Sequence, residues 1–335
     1  MQTALATIFV FFLVVVVHEF GHFIIAKLSG ITVHEFAIGM GPKLYQVKKG
    51  GTDYSLRLLP IGGYVKMEGE DESSDDEGSF SKKPISSRMA VLAAGAIMNF
   101  ILAIIVFTIY AYNVGAPTNI IEDATVGMPA YTAGIRSGDK IVKINDTPVN
   151  EWNEIKNEIS QSNGEKISIT VVRNGKELVY ELQPILDKTQ KRLIIGITTK
   201  VEKSFTKAIK SGIENTLFIL GMMFDFIFKL FQGKVNSADI SGPVGIVYLV
   251  GEAAKSGFLY VLYIAGFISV NLGFFNLLPI PALDGSRIMF LFLELLRGKP
   301  INPEKEGFVH FIGFVFLLLL MIVVAYKDIL RFDIF

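Results

Sequence analysis

His18-Glu19-Phe20-Gly21-His22 sets two imidazoles four residues apart, with a carboxylate beside the first. On a helix, positions i and i+4 stand on one face one turn apart, so both rings can reach a single ion. Zinc suits such a pair, because it keeps three protein ligands and one open position. Glu19 is then placed to take a proton from water at that position. As a bare pattern the motif also arises by chance. The alternative is a pair of histidines bridging helices with Glu19 paired to a base, but that leaves Glu19 in an apolar run with no obvious partner.

A third ligand is needed, and the chain offers few. It has no cysteine, which removes thiolate sites, disulfides and cysteine nucleophiles, and only four histidines. His34 follows the motif closely and His310 sits near the last apolar run; both read as ordinary side chains. Asp284 is the better choice. It closes Asn276-Leu-Leu-Pro-Ile-Pro-Ala-Leu-Asp-Gly285, where Pro279 and Pro281 must break a helix at the edge of an apolar segment. The plainer reading of Asp284 is a helix N-cap.

The elements that must position these groups are membrane spans. Of 335 residues, 51% are hydrophobic and 19% charged, against about 25% charged for ordinary soluble domains. The apolar excess sits in four runs, 3–28, 89–112, 257–278 and 307–326, each meeting or approaching the ~20 residues that cross a bilayer. The first carries no basic n-region and no small-residue cleavage site, so it reads as a span and not as a signal peptide. His18 falls about 22 Å along it from Thr3 at 1.5 Å per residue, within the membrane and nearer the cytosolic face. The zero formal charge and the lack of a basic stripe exclude a nucleic-acid partner.

Basic residues orient the spans. Lys43, Lys48, Lys49, Arg57, Lys66, Lys82, Lys83 and Arg88 lie between the first two runs, and Arg297, Lys299 and Lys305 between the last two. The positive-inside rule puts both segments in the cytosol and both termini, with residues 113–200, outside. Residues 31–68 alternate weakly between glycines and predict a β-hairpin or small sheet, dipping into the membrane beside the site. Phe205, Ile209, Ile213 and Leu217 repeat every four residues and predict an amphipathic helix over 204–232 at the interface, with a fifth span as the rival reading, disfavoured because 216–231 is short and carries two charges. The acidic stretch Glu68–Glu77 reads as a solvated linker.

A His-Glu-x-x-His motif in a span, followed by a distant Asn-x-x-Pro-x-Pro-x-Leu-Asp-Gly, resembles the site-2 protease family of intramembrane zinc metalloproteases. The bacterial regulator-of-sigma-E branch is most similar. Phe36–Leu44, Gly62–Met67, Arg88–Asn99 and Pro243–Ile246 match as well, so the resemblance spans essentially the whole chain. Ala96 departs from it, since proline often follows Ala-Gly there. The resemblance implies His18, His22 and Asp284 as zinc ligands, Glu19 as catalytic acid/base, and Asn276 as a residue that binds the substrate backbone or polarises the scissile carbonyl. It implies a bacterial cell membrane and single-span membrane proteins as substrates, already shortened by another protease; anti-sigma factors and remnant signal peptides are two such classes.

Residues 126–152 (VGMPAYTAGIRSGDKIVKINDTPVNEW) resemble the PDZ pattern of bacterial proteases. Such a domain captures chain ends by strand addition or excludes bulky substrates. The expected architecture is a polytopic α-helical membrane protein of four transmembrane helices, with a membrane-associated β-hairpin or sheet and an inserted extracytoplasmic α+β PDZ domain. Its parts are a first half of the protease core at 1–112, the PDZ-like domain at 113–200, an amphipathic helix and linker at 201–255, and the second half of the core at 256–335. An inactive PDZ-bearing adaptor and a metal transporter are the competing classes. The first would not need every motif residue intact, and the second would place polar groups along the second and fourth spans.

Overall fold

The computed structural model describes residues 1–70, 74–187, 192–234 and 241–332; residues 71–73 of the acidic stretch fall outside these. Two compact units emerge, Met1–Tyr110 with Ile209–Phe335, and Ala111–Ala208.

Among the described residues four helices are long and apolar enough to cross a membrane: Gln2–Leu28 (α1), Ile85–Val114 (α2), Phe258–Leu277 (α7) and Glu304–Arg331 (within α9, Pro303–Arg331). Helix α1 buries Val10, Val14, His18, Gly21, His22 and Ala26, a stripe at three- and four-residue spacing. Gly21 lets α1 and α2 approach closely: a Cβ there would stand 2.4 Å from the backbone oxygen of Ala94. In lipid, small residues at helix crossings supply the close packing that the hydrophobic effect does not. Helices α5 (Phe205–Phe231), α6 (Pro243–Ser256) and α8 (Asp284–Arg297) complete the helical part. The amphipathic pattern predicts a helix over 204–232, and α5 is a helix there; α6 lies largely in the segment expected to be linker, and α8 in the segment between the last two apolar runs.

Between α1 and α2, β1 (Val33–Lys49) and β2 (Thr52–Met67) form a hairpin doubled back on itself. Its turn is Gly50-Gly51, both at positive φ (58° and 80°), the two-residue geometry that suits strand twist. Phe36 pairs with Val65 and also with Tyr54, so the first half of β1 lies between the two halves of β2. Phe23 of α1 meets Phe36 and Tyr54 at ring-centroid distances of 5.2 and 5.8 Å, seating the sheet on the helix. Ser55 Oγ and Arg57 Nη2 donate to Glu35 Oε1 at 2.6 and 2.9 Å, which ties the layers together.

The second unit is α+β. Its sheet runs β10-β3-β4-β6-β7, from β3 (Ala116–Ala124), β4 (Lys140–Ile144), β6 (Ile167–Arg173), β7 (Lys176–Leu182) and β10 (Ile197–Glu202); β5 (Thr147–Pro148) pairs with β4. Two helices, α3 (Pro129–Ala133) and α4 (Trp152–Gln161), and a hairpin of β8 (Ile185–Asp187) and β9 (Arg192–Ile194) complete it. Ile121, Ile135, Ile141, Ile144, Ile155 and Ile169 fill its core. Asp139 is fully buried and accepts from Arg173 Nε and Nη2 at 2.6 and 2.8 Å and from the Arg136 backbone at 2.9 Å.

Gly21→Ala should force α1 away from α2 and destabilise the bundle by about 1–3 kcal/mol, the range for overpacking a filled interface. The thermal midpoint of the full chain in detergent measures this, with Ile24→Ala at an exposed position of α1 as the control.

Candidate active site

Helix α1 presents His18 and His22 on its buried stripe, and α8 begins at Asp284. His18 Nε2 and His22 Nε2 are 3.2 Å apart, and Asp284 Oδ2 lies 3.3 and 3.4 Å from them. Three ligand atoms therefore form a nearly equilateral triangle. A tetrahedral zinc with bonds of 2.0–2.1 Å requires its ligand atoms to stand about 3.3–3.4 Å apart, so the residues present fit the ion. Asp284 Oδ2 is buried and, among the described residues, takes part in no hydrogen bond, as an oxygen reserved for a cation would be. His34, by contrast, pairs with Glu68 and takes no part in this cluster.

Several backbone devices bring Asp284 here from the far end of the chain. Helix α7 ends at Leu277 ahead of Pro279 and Pro281. Gly285 then lets α8 start hard against that end: a Cβ on it would meet the Leu278 oxygen at 2.2 Å. Ala282 adopts φ +77°, a left-handed conformation that costs a non-glycine residue of order 1–3 kcal/mol and persists only where the surroundings impose it. Those surroundings are in α9. His310 Nδ1 accepts from the Ala282 backbone at 3.1 Å, and Gly313 packs on Pro281, where a Cβ would come within 2.2 Å. Two ion pairs hold α8 itself: Arg88 of α2 grips Glu294 through both guanidinium nitrogens at 2.5 and 3.1 Å, and Arg287 meets Glu70.

A cavity of about 490 Å³ opens at the cluster, lined by His18, Glu19, His22, Tyr64, Asp284 and His310 among others. Glu19 is half-buried and faces β2: a Cβ on Gly63 would lie 3.0 Å from its Cγ. Gly63, Tyr64, Val65 and Met67 all line the cavity, and among the described residues this half of β2 pairs only with β1. Asn276 is buried at the end of α7 and does not line the cavity. The sequence pattern singled out the motif residues but passed over His310, because its contact is with a backbone N–H whose exposure depends on an unusual local conformation. Nothing in composition or spacing signals that.

Two imidazoles and a carboxylate converging on one point, with a second carboxylate alongside, are the donor set of a metal-dependent hydrolase. The chain belongs to peptidase family M50, whose model matches residues 6–320. It is 40% identical to a Clostridium acetobutylicum protein named provisionally as a zinc metalloprotease, over 96% of each chain. It is 33% identical to the regulator of sigma-W protease RasP of Bacillus subtilis, over 98% of this chain and 99% of that one. With the zinc metalloprotease RasP of Geobacillus kaustophilus it shares 32% identity over 99% of each. A solved PDZ domain of an SdrC-like protein from Listeria monocytogenes covers 25% of this chain at 20% identity and a TM-score of 0.22, too low a score to bear on the fold.

His310→Leu removes the acceptor for the Ala282 N–H and frees the turn before Asp284. Metal affinity, measured against a competing chelator, should fall about 10-fold, at the low end for loss of a supporting contact. His34→Leu should leave it unchanged.

Proposed function

We propose that this protein is a zinc-dependent endopeptidase that cuts single-span membrane proteins within the bilayer. The observation that carries the reading is the triangle of His18, His22 and Asp284 inside a bundle of span-length helices. These three residues would hold the ion at the wall of the cavity. Zinc, when bound, supplies Lewis acidity toward the scissile carbonyl and lowers the pKa of water. Glu19 takes the proton from the attacking water and delivers it to the leaving amine nitrogen.

A peptide bond in a helical span is shielded by its own hydrogen bonds, so the substrate must unwind before it can react. The cavity-facing half of β2 offers the unwound stretch a strand to pair with, replacing the bonds it gives up. Met40, Leu44, Tyr45, Leu58 and Leu59 of the hairpin are exposed apolar side chains, which supports a sheet that dips into lipid. Asn276 is assigned to the substrate backbone on its motif alone.

The four long helices span a bacterial cell membrane, with both termini and the Ala111–Ala208 unit outside, an orientation that the basic residues beside the spans support. That unit acts as a PDZ domain that captures chain ends or screens substrates by size. The substrates are membrane proteins already shortened by another protease. The printed name of the Bacillus subtilis relative ties that protein to sigma-W regulation, and an anti-sigma factor is the corresponding substrate class here.

The purified chain in detergent, incubated with a single-span substrate, should cleave it, and a chelator should stop the reaction. Glu19→Gln should keep stoichiometric zinc and lose cleavage by at least about 100-fold, the scale of general acid–base catalysis. His22→Ala should lose both. Full cleavage by Glu19→Gln would sink the assignment of Glu19, and zinc absent from the wild-type chain would sink the ligand set.

A further inference from the structure

For both imidazoles to offer Nε2 to one ion, each must carry its proton on Nδ1, and some acceptor must hold it there. His22 has such an acceptor in view. Its Nδ1 lies 2.9 Å from the backbone oxygen of Val91 in α2, an atom that only accepts, so the proton is on Nδ1 and Nε2 is free. His18 finds its partner two turns further along α2. Its Nδ1 lies 3.3 Å from the side-chain amide of Asn99, and no other hydrogen bond to that nitrogen is found among the described residues.

Val91, Gly95 and Asn99 are spaced four apart, so they share one face of α2. That face is shaped to the histidines. Gly95 lies directly under the rings, where a Cβ would reach 2.3 Å from His22 Nε2 and 2.6 Å from His18 Cε1. Asn99 has no solvent exposure. Its backbone oxygen accepts from Ser269 Oγ of α7 at 2.8 Å, which holds α2 in register where the amide meets His18.

The amide has two ends of nearly equal shape and opposite hydrogen-bonding character. With Nδ2 toward His18, the amide donates to a bare Nδ1 and the imidazole proton sits on Nε2, facing Asp284. That pattern suits a metal-free site, and it leaves Asn99 Oδ1 buried without a hydrogen-bond partner among the described residues. With Oδ1 toward His18, the amide accepts from Nδ1–H and Nε2 is released for a ligand bond. The second orientation requires only rotation about the terminal side-chain bond.

We propose that Asn99 is a positioning residue of the metal centre: its side-chain oxygen holds the Nδ1 proton of His18 and so directs Nε2 toward the ion, as the Val91 carbonyl does for His22. The inference rests on the reading of His18 as a zinc ligand. It extends the site to a third helix and assigns a buried amide that the proposed catalysis does not use.

The test is zinc affinity of the full chain in detergent, measured by chelator competition without reference to cleavage. Asn99→Leu keeps the volume and removes the acceptor; affinity should fall about 10- to 100-fold, the usual cost of losing an outer partner of a metal-bound histidine. Asn99→Asp keeps an oxygen in place and should retain most of the affinity. Unchanged affinity in Asn99→Leu, or an equal loss in both variants, overturns the proposal. His18→Ala separates the two levels. If it abolishes zinc binding while Asn99→Leu binds normally, only the role of Asn99 fails; if it binds zinc normally, the ligand reading fails and takes this inference with it. Should Asn99→Leu not fold, ¹⁵N spectra of the zinc-loaded wild-type chain decide the point, because it has only four histidines. Two rings with protonated Nδ1 and metal-bound Nε2 are expected, and His18 bound through Nδ1 would overturn it.

Discussion

Polar side chains buried among apolar helices must meet one another or an ion, and this demand governs how the first unit is assembled. His18, His22 and Asp284 come from opposite ends of the chain and bring one side-chain atom each to within 3.4 Å of the other two. An isolated carboxylate in such surroundings costs several kcal/mol even on forgiving scales. The packing around them is correspondingly close. Glycines at 21, 95, 285 and 313 stand where a methyl group would strike backbone or a histidine ring.

Each of the three converging side chains is supported by a different helix from the one that carries it. The Val91 carbonyl of α2 orients His22 of α1, and the turn before Asp284 is fastened by His310 of α9. Arg88 and Glu294 form a bidentate pair joining α2 to α8, and their nearly buried side chains make its geometry costly to disturb. Position is thus set by several weak constraints in series, each in a separate part of the sequence. Helix α9 contributes even though little of its apolar span is buried. A strained residue, Ala282, sits at the one place where the chain must turn from α7 into α8.

The doubled hairpin adds a different kind of surface. Helices satisfy their own backbone groups, so a helix bundle alone offers an unwound substrate nothing to pair with. The sheet brings open backbone to the cavity, beside Glu19. Its aromatic seat on Phe23 lies one turn beyond Glu19 on α1, so the same helix that carries the carboxylate also anchors the strand next to it.

Local pattern sufficed for much of this protein. Long uninterrupted apolar runs announced the four span-length helices, because length and hydropathy need no partner to be read. The i, i+4 histidines and the alternating, glycine-punctuated hairpin were visible for the same reason. Helices α6 and α8 were not, since they are short and their faces are defined by what they pack against. Asp284 stood out through its prolines, but that it meets the two histidines is a fact of tertiary structure. The contact of His310 with the Ala282 N–H was hidden entirely, because the strained turn that exposes that N–H leaves no period in the chain. Asn99 closes the matching stretch Arg88–Asn99, but that its amide meets His18 on a neighbouring helix is again a fact of packing. Sequence determined which groups could do the chemistry; only the packing of α1, α2, α8 and α9 decided which of them meet, because a contact between distant residues depends on the helices that bring them together.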